Sequence, residues 1–279
     1  MTTIKAAFRT ADGLRVRYAE AGQEMDDTVV LTNPWPESLF AFRKVWDRLA
    51  EHFHLVAIDL PGFGQSERRL DLLSPRPMGG FLVRLVQEWK LGSVHFVGPD
   101  VGTAAALFAA ATHPELVHSL AIGGGGTAVP LRVTGALKNI IEAPDLDGYR
   151  QVDSKEILGP VFDAIPGGPL PAEIRADYLE SYAGDRFAES ARYVRTYPAE
   201  LPVLAERLPG IETPVLIVGG RDDELVPAVN AEFLHERLPR SRLHLLPAGH
   251  FSWEEAPDLY GDVVLGWLTG GHGDLPAGG

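Results

Sequence analysis

The feature that most constrains the fold is the pentapeptide Gly-Pro-Asp-Val-Gly at residues 98–102. It follows a strand-like apolar run, residues 93–97, and precedes an alanine-rich run, residues 103–111, that favours a buried helix. Glycines on both sides of Asp100 suit a strand-to-helix turn so tight that a side chain would strike the backbone. A carboxylate presented above such a turn can attack a carbon electrophile and form an alkyl ester. Glycines around an Asp also occur in ordinary turns, so whether Asp100 is a nucleophile has to be judged from the rest of the chain.

Strand-like and helix-like segments alternate along most of the chain. Residues 6–10 and 14–21 flank the turn signal Ala-Asp-Gly and predict a β-hairpin. The later apolar runs have strand length and alternate with segments of helical periodicity. This rhythm predicts a mainly parallel sheet with helices on both faces.

The rhythm also predicts the domain organisation. Residues 1–126 and 210–268 carry the alternating pattern and are predicted to form one α/β core, with a mostly parallel central sheet flanked by helices. Residues 127–209 are rich in Pro and Gly, contain amphipathic helical pieces and predict an inserted helical cap. The Gly-rich residues 269–279 predict a flexible C-terminal tail. Four glycines at 123–126 predict a close-packed strand exit, because no P-loop Lys or Ser follows them.

Composition narrows the function classes. The chain has 279 residues, 45% hydrophobic and 23% charged, which is typical of a soluble globular protein. A formal net charge of -13 argues against a nucleic-acid or anionic-membrane partner. The absence of cysteine removes thiol chemistry, disulfides and thiolate metal sites. No run has transmembrane length and no apolar leader is visible, so we expect a cytoplasmic protein that uses neither a cofactor nor a metal.

Two strand ends after the predicted cap carry the residues that a nucleophilic Asp requires. One strand is followed by Arg-Asp-Asp at residues 221–223, and the next by Pro-Ala-Gly before His250. Ligand sites in open α/β sheets form at the carboxyl ends of strands, so these loops should meet the loop of Asp100. The chain order nucleophile, acid, His is that of α/β-hydrolases. Of the two adjacent carboxylates, we predict that one is catalytic and the other is solvated.

These residues resemble the α/β-hydrolase superfamily over essentially the full length of the chain. Within it they resemble the enzymes with an Asp nucleophile, the epoxide hydrolases and haloalkane dehalogenases. The resemblance implies that Asp100 is the nucleophile and that His250 activates the water that hydrolyses the ester. It favours Asp222 as the acid that orients His250, because Asp222 has the family's Gly-x-x-Asp spacing counted from Gly219.

The resemblance also implies an oxyanion hole. Its two donors would be the N–H of Val101, directly after the nucleophile, and the N–H of Trp35. Trp35 occupies the third position of a loop that reads His-Gly-x-Pro in the family and Asn-Pro-Trp-Pro here, at residues 33–36. Because His-Gly has become Asn33-Pro34, we expect the loop conformation to differ, and a cis bond before Pro36 is one option.

The neighbours of the nucleophile distinguish the two branches. Dehalogenases typically place Trp or Arg directly after the Asp, and this chain has Val101. Epoxide hydrolases instead use tyrosines of the cap to protonate the departing oxygen, and a phenol has the required proton. Five of the seven tyrosines lie in the predicted cap: Tyr149, Tyr178, Tyr182, Tyr193 and Tyr197. The resemblance favours Tyr193 as one acid, with either Tyr149 or Tyr178 as its partner.

We therefore predict an epoxide hydrolase that adds water to a small-molecule epoxide through an Asp100 alkyl ester, with a natural-product epoxide as a candidate substrate. Two alternatives stay open at this point: a haloalkane dehalogenase-type hydrolase, and a hydrolase-like ligand-binding protein without turnover. The sequence leaves the oligomeric state undetermined.

Overall fold

Short runs rich in β-branched and apolar residues form an eight-stranded sheet in the computed structural model, which describes residues 4–273. The sheet order is β1-β2-β4-β3-β5-β6-β7-β8. The pairs β1–β2 and β2–β4 are antiparallel and the remaining pairs are parallel. The strands are β1 Ala7–Ala11, β2 Leu14–Ala21, β3 Thr28–Thr32, β4 His54–Ile58, β5 Val94–Pro99, β6 Val117–Gly123, β7 Val215–Gly220 and β8 Ser241–Leu246.

Twelve α-helices accompany the sheet within the described residues. They are α1 Trp46–Ala50, α2 Pro75–Trp89, α3 Val101–Thr112, α4 Gly135–Glu142, α5 Asp147–Gln151, α6 Ser154–Asp163, α7 Ala172–Ser181, α8 Arg186–Arg195, α9 Tyr197–Ala205, α10 Val229–His235, α11 Ser252–Glu255 and α12 Pro257–Gly266. Helices α4 to α9 lie between β6 and β7, and we refer to them as the helical insertion. Short 3-10 turns cover Leu39–Lys44, Leu70–Leu72, Pro114–Leu116 and Leu208–Gly210, and a last helical turn covers Trp267–Gly271.

The predicted architecture is confirmed. The parallel strands β3, β5 and β7 are buried along their whole length, and β6 is buried at every residue except His118, as expected for a sheet covered on both faces. The predicted hairpin is the antiparallel pair of β1 and β2. Residues 123–126 form the exit of β6, and the exit is closely packed, since a Cβ on Gly123 would collide with the backbone of Val218. None of the helices in residues 4–273 has the length and apolar character needed to cross a membrane.

The first residues of the predicted C-terminal tail lie in and beside a helical turn that contacts the core. Thr269 lies in the last helical turn, and the ring of His272 contacts those of Trp267, His118 and His95, with centroids 5.4–6.2 Å apart for these three pairs. Apolar Trp267 anchors the turn in the core, which the Gly-rich composition does not indicate. Residues 274–279 of the predicted tail lie outside the described residues.

Candidate active site

The turn between β5 and α3 holds Asp100 in a rare backbone conformation. Its φ is 52° and its ψ is -118°, a region that residues with a Cβ seldom adopt. Glycine at position 102 lets the turn lie close to β3, because a Cβ on Gly102 would collide with the Thr32 side chain on that strand. Strain of this kind is concentrated at functional sites and presents the side chain at the carboxyl edge of the sheet. The local structure is therefore the sharp elbow that the pentapeptide predicts.

Two backbone N–H groups hold the Asp100 carboxylate. The N–H of Trp35 donates to Asp100 Oδ2 over 2.6 Å, and the N–H of Val101 bonds the same carboxyl. These are the two donors expected for the oxyanion hole. One carboxylate oxygen thus already lies where a tetrahedral oxyanion would be stabilised, which leaves Oδ1 for attack.

Asn33 fixes the loop that carries Trp35. The Asn33 amide nitrogen donates to the carbonyls of Pro34 (2.9 Å) and Glu37 (3.3 Å), and its Oδ1 accepts from the N–H of Leu60 (2.8 Å). The bond between Trp35 and Pro36 is cis. The departure from His-Gly therefore keeps the N–H of Trp35 directed at the nucleophile, and the buried amide of Asn33 closes the turn around it.

The acid that bonds His250 is Asp223, and the prediction of Asp222 was wrong. His250 Nδ1 lies 2.9 Å from Asp223 Oδ2, and Asp223 Oδ1 accepts from the N–H groups of Leu225 (2.9 Å) and Val226 (2.8 Å). Asp223 is buried, whereas Asp222 is exposed. The N–H bonds from Leu225 and Val226 hold the Asp223 carboxylate against His250, while Asp222 stays exposed to solvent. Counting Gly-x-x-Asp from Gly220, instead of from the preceding glycine, selects Asp223.

Burial sets the protonation of the site. Burial raises the pKa of Asp100 to about 6. The positive charge of His250 and the hydrogen bonds from the N–H groups of Trp35 and Val101 act in the opposite direction and lower it, but burial has the larger effect. Burial by itself lowers the pKa of His250. The bond to Asp223 and the charges of Asp223 and Asp100 outweigh that effect, so the net shift of the His250 pKa is upward.

A cavity of about 180 Å³ connects these groups. Asp100, His250 and Trp35 line it together with side chains of the helical insertion. It is smaller than the pockets of roughly 300–1,000 Å³ that hold drug-sized ligands, so it suits a compact molecule. The insertion contributes mainly apolar side chains to the wall: Ala136, Leu137, Asn139, Ile140, Tyr149, Ile157, Leu158, Val161 and Phe187.

Of the three tyrosines predicted as candidate acids, one lines the cavity. Tyr149 lines the cavity, but Tyr193 and Tyr178 do not. The hydroxyl of Tyr193 donates to the carbonyl of Val101 (2.8 Å), and that of Tyr178 lies 3.5 Å from a carboxylate oxygen of Glu254. Both are buried and engaged elsewhere, so the prediction of Tyr193 as an acid facing the substrate was wrong, and of the two partners left open, Tyr149 and Tyr178, it is Tyr149 that lines the cavity. The sequence shows how many tyrosines the insertion contains, but the positions of their hydroxyls depend on how α7 and α8 pack against the core.

Two side chains that the sequence did not single out hold Trp35. The Trp35 ring stacks on Phe187, with centroids 5.5 Å apart and planes 9° apart. Its indole Nε1 donates to Ser190 Oγ over 2.9 Å. Phe187 and Ser190 are one turn apart on α8, and that spacing was the only signal in the sequence.

The outer part of the site is acidic. A second cavity, of about 560 Å³, shares His250 with the first and is bordered by Asp222, Glu224 and Glu255. Neither cavity has a Lys or Arg among the described residues that line it. Within residues 4–273, no group of three or more His, Asp and Glu side chains is arranged to hold a metal ion.

The sheet order, the elbow and the converging loops define the α/β-hydrolase fold. A family model described as the alpha/beta hydrolase fold matches residues 27–157. A relative named 2-hydroxy-6-oxononadienedioate/2-hydroxy-6-oxononatrienedioate hydrolase, from Burkholderia vietnamiensis, is 28% identical over an alignment of 274 residues, gaps included, that covers 91% of this chain and 91% of the relative. These matches support the α/β-hydrolase superfamily.

Solved structures are similar in fold across nearly the whole chain. Epoxide hydrolase A from Mycobacterium thermoresistibile has a TM-score of 0.79 at 20% identity and covers 99% of this chain and 100% of its own. The epoxide hydrolase CorEH has a TM-score of 0.80 at 23% identity, and the match covers 96% of this chain and 99% of CorEH. At these identities the likeness concerns the fold, and the reaction has to be argued from the site.

Proposed function

We propose that the protein is a hydrolase that adds water to small, apolar epoxides through an alkyl ester on Asp100. The observation that carries this proposal is the position of the nucleophile. A carboxylate at the elbow has one oxygen held by the N–H of Trp35 and shares an apolar cavity with His250. A carboxylate so placed is poised to displace oxygen from a carbon atom.

The first step would form the ester. Asp100 Oδ1 attacks an epoxide carbon, the bond from that carbon to the ring oxygen breaks, and the oxygen takes a proton. Tyr149 is the proposed acid, because it is the only tyrosine among the described residues that line the cavity. A phenol, with a reference pKa of about 10, can protonate an alkoxide, which is a far stronger base.

The second step would hydrolyse the ester. His250, oriented by Asp223 at 2.9 Å, removes a proton from water, and the hydroxide adds to the Asp100 carbonyl carbon. The oxyanion that forms accepts hydrogen bonds from the N–H groups of Trp35 and Val101. Collapse breaks the bond between the carbonyl carbon and the alkyl oxygen, releases the diol and restores the carboxylate. The protons removed from water return to the diol and to Tyr149.

The relative's printed substrate suggests a second function, hydrolysis of a dicarboxylate. The charge of this site disfavours it. A dianion would meet the acidic border of Asp222, Glu224 and Glu255, without a Lys or Arg in the described lining to pair with it. A dehalogenase is disfavoured as well, because the Trp35 indole N–H, a suitable halide donor, is bonded to Ser190.

One turnover in heavy-oxygen water tests the proposal. Excess enzyme is mixed with a small apolar epoxide such as styrene oxide, and the peptide that contains Asp100 is analysed by mass. Label in the Asp100 carboxylate is expected, because the incoming water oxygen stays on the carboxyl while the oxygen that attacked the epoxide leaves with the diol. A His250→Gln variant should accumulate the ester, and an Asp100→Asn variant, as its control, should form none. Diol formation with an unlabelled Asp100 would refute the covalent route.

The same protein preparation tests the alternatives. Release of halide from a small haloalkane at a rate equal to epoxide turnover would favour the dehalogenase. Binding of epoxide without turnover, equal in wild type and Asp100→Ala, would favour the ligand-binding protein.

A further inference from the structure

One face of α8 contacts both residues that supply the oxyanion hole. Phe187, Ser190 and Tyr193 follow each other at intervals of three residues and are all buried. Phe187 and Ser190 contact Trp35, and Tyr193 contacts Val101. Side chains three apart lie on neighbouring positions of one helix surface, so a single rigid element contacts both donors.

The contact with Trp35 restrains the ring and its polar edge together. Ser190 Oγ accepts from the Trp35 indole over 2.9 Å and donates to the carbonyl of Phe187 over 2.8 Å, so the hydroxyl is engaged on both sides. The ring of Phe187 covers the face of the indole. Displacement of Trp35 as a whole would break these contacts, so they resist movement of the backbone segment that carries its N–H.

The contact with Val101 restrains the start of α3. The Tyr193 hydroxyl donates to the Val101 carbonyl over 2.8 Å, and the Tyr193 ring packs edge-on against Phe63 with centroids 5.4 Å apart. Arg186 joins the beginning of α8 to the core, because its guanidinium donates to the carbonyls of Gly64 (2.6 Å) and Ser66 (3.0 Å). α8 is therefore attached to the core at one end and to the nucleophile elbow further along.

We propose that α8 is the positioning element of the oxyanion hole, with Tyr193 and Ser190 as positioning residues for the N–H groups of Val101 and Trp35. This inference rests on the proposed ester mechanism for its kinetic consequences. Docking of the helical insertion then completes the hole, so that substrate enclosure and readiness for ester hydrolysis are coupled. Stabilisation by such donors is needed most when charge develops on the ester oxygen, so the hydrolysis step depends on α8 more than the alkylation step does.

Tyr193→Phe removes the bond to Val101, Ser190→Ala removes the bond from Trp35 together with the bond to Phe187, and both keep most of the side-chain volume. Loss of one hydrogen bond corresponds to a change of about twofold to tenfold in a rate. We expect ester hydrolysis, measured by rapid quench after ester formation, to slow by about that factor in each variant, with kcat/KM, which reports the steps up to ester formation, unchanged. Ser190→Thr retains the hydroxyl and should restore the rate.

Thr196→Val is the matched control. Thr196 Oγ1 bonds the carbonyl of Tyr193 at the end of α8, and its removal weakens the same helix without touching Trp35 or Val101. We expect wild-type hydrolysis in this variant. If Thr196→Val slows hydrolysis as much as Tyr193→Phe, or if both steps slow equally in all variants, α8 acts only on stability and the inference is overturned.

Amide hydrogen exchange tests the positioning role without a substrate. In peptides that isolate Val101 and Trp35, Tyr193→Phe should speed exchange at Val101, and Ser190→Ala should speed exchange at Trp35. Unchanged exchange at both amides overturns the inference even if the protein hydrolyses epoxides. If wild type turns over no epoxide but exchange responds as stated, the proposed function fails and the positioning role of α8 stands.

Discussion

Replacing Asp223 with Asn removes the charge beside His250 and keeps the shape of the side chain. Two unit charges separated by the observed 2.9 Å interact by about 6 kcal/mol at an effective dielectric constant of about 20. If the whole interaction is lost when His250 takes the proton from water, the rate falls by about 10⁴-fold. The Asn amide also donates where the carboxylate accepted, which favours the wrong tautomer of His250. We therefore expect a loss of about 10³- to 10⁴-fold in ester hydrolysis.

The assay separates the two steps. Enzyme and a small apolar epoxide are mixed, quenched at intervals and measured by intact mass, so that the ester appears as the mass of the enzyme plus one substrate. Asp223→Asn should form the ester and retain it. Asp222→Asn is the matched control, because Asp222 is the adjacent, exposed carboxylate, and its hydrolysis rate should stay within about twofold of wild type. Loss of hydrolysis in Asp222→Asn with near-normal rates in Asp223→Asn would refute the assignment.

Three further outcomes can be measured. Tyr149→Phe should slow ester formation by about 10²- to 10⁴-fold, the range for loss of a general acid, while Tyr178→Phe stays within about threefold; equal burst rates in the two variants would contradict this. Because burial raises the pKa of Asp100 to about 6 and only its ionised form attacks, kcat/KM should rise with pH through about 6, and a profile flat from about pH 5 to 8 would count against it. Burial, with two neighbouring imidazoles, lowers the pKa of His95 to about 4. Between about pH 6.5 and 4 the unfolded chain therefore binds a proton that the folded chain does not, so wild type should lose up to about 3 kcal/mol relative to His95→Asn on acidification, measured by urea unfolding; parallel curves would exclude this.

Local sequence signals predicted the features that depend on local geometry. The glycines beside Asp100 require the strand-to-helix elbow, and the structure has it with a φ of 52° at that residue. The resemblance to α/β-hydrolases implied the N–H donors of Trp35 and Val101, and both follow ends of the parallel strands β3 and β5 at one edge of the sheet. These predictions needed no knowledge of side-chain packing.

Predictions that depend on which way a side chain faces were less successful. Asp222 and Asp223 are adjacent and chemically identical, and only the turn after β7 determines that Asp223 meets His250. Tyr193 lies in the helix where the family places an acid, yet its hydroxyl bonds a backbone carbonyl. The orientation of α8 against the core depends on contacts between segments far apart in the chain, and no single-sequence pattern encodes it.

The charges of the site change between the two proposed steps, and the change favours the reaction. In the resting enzyme the negative charge of Asp100 is one of the influences that raise the pKa of His250, which favours the imidazolium. Esterification converts Asp100 into a neutral group and removes that influence, so the pKa of His250 falls while Asp223 still orients the ring. A lower pKa releases the proton that would prevent His250 from acting as a base. Formation of the ester thus creates the neutral imidazole that its own hydrolysis requires.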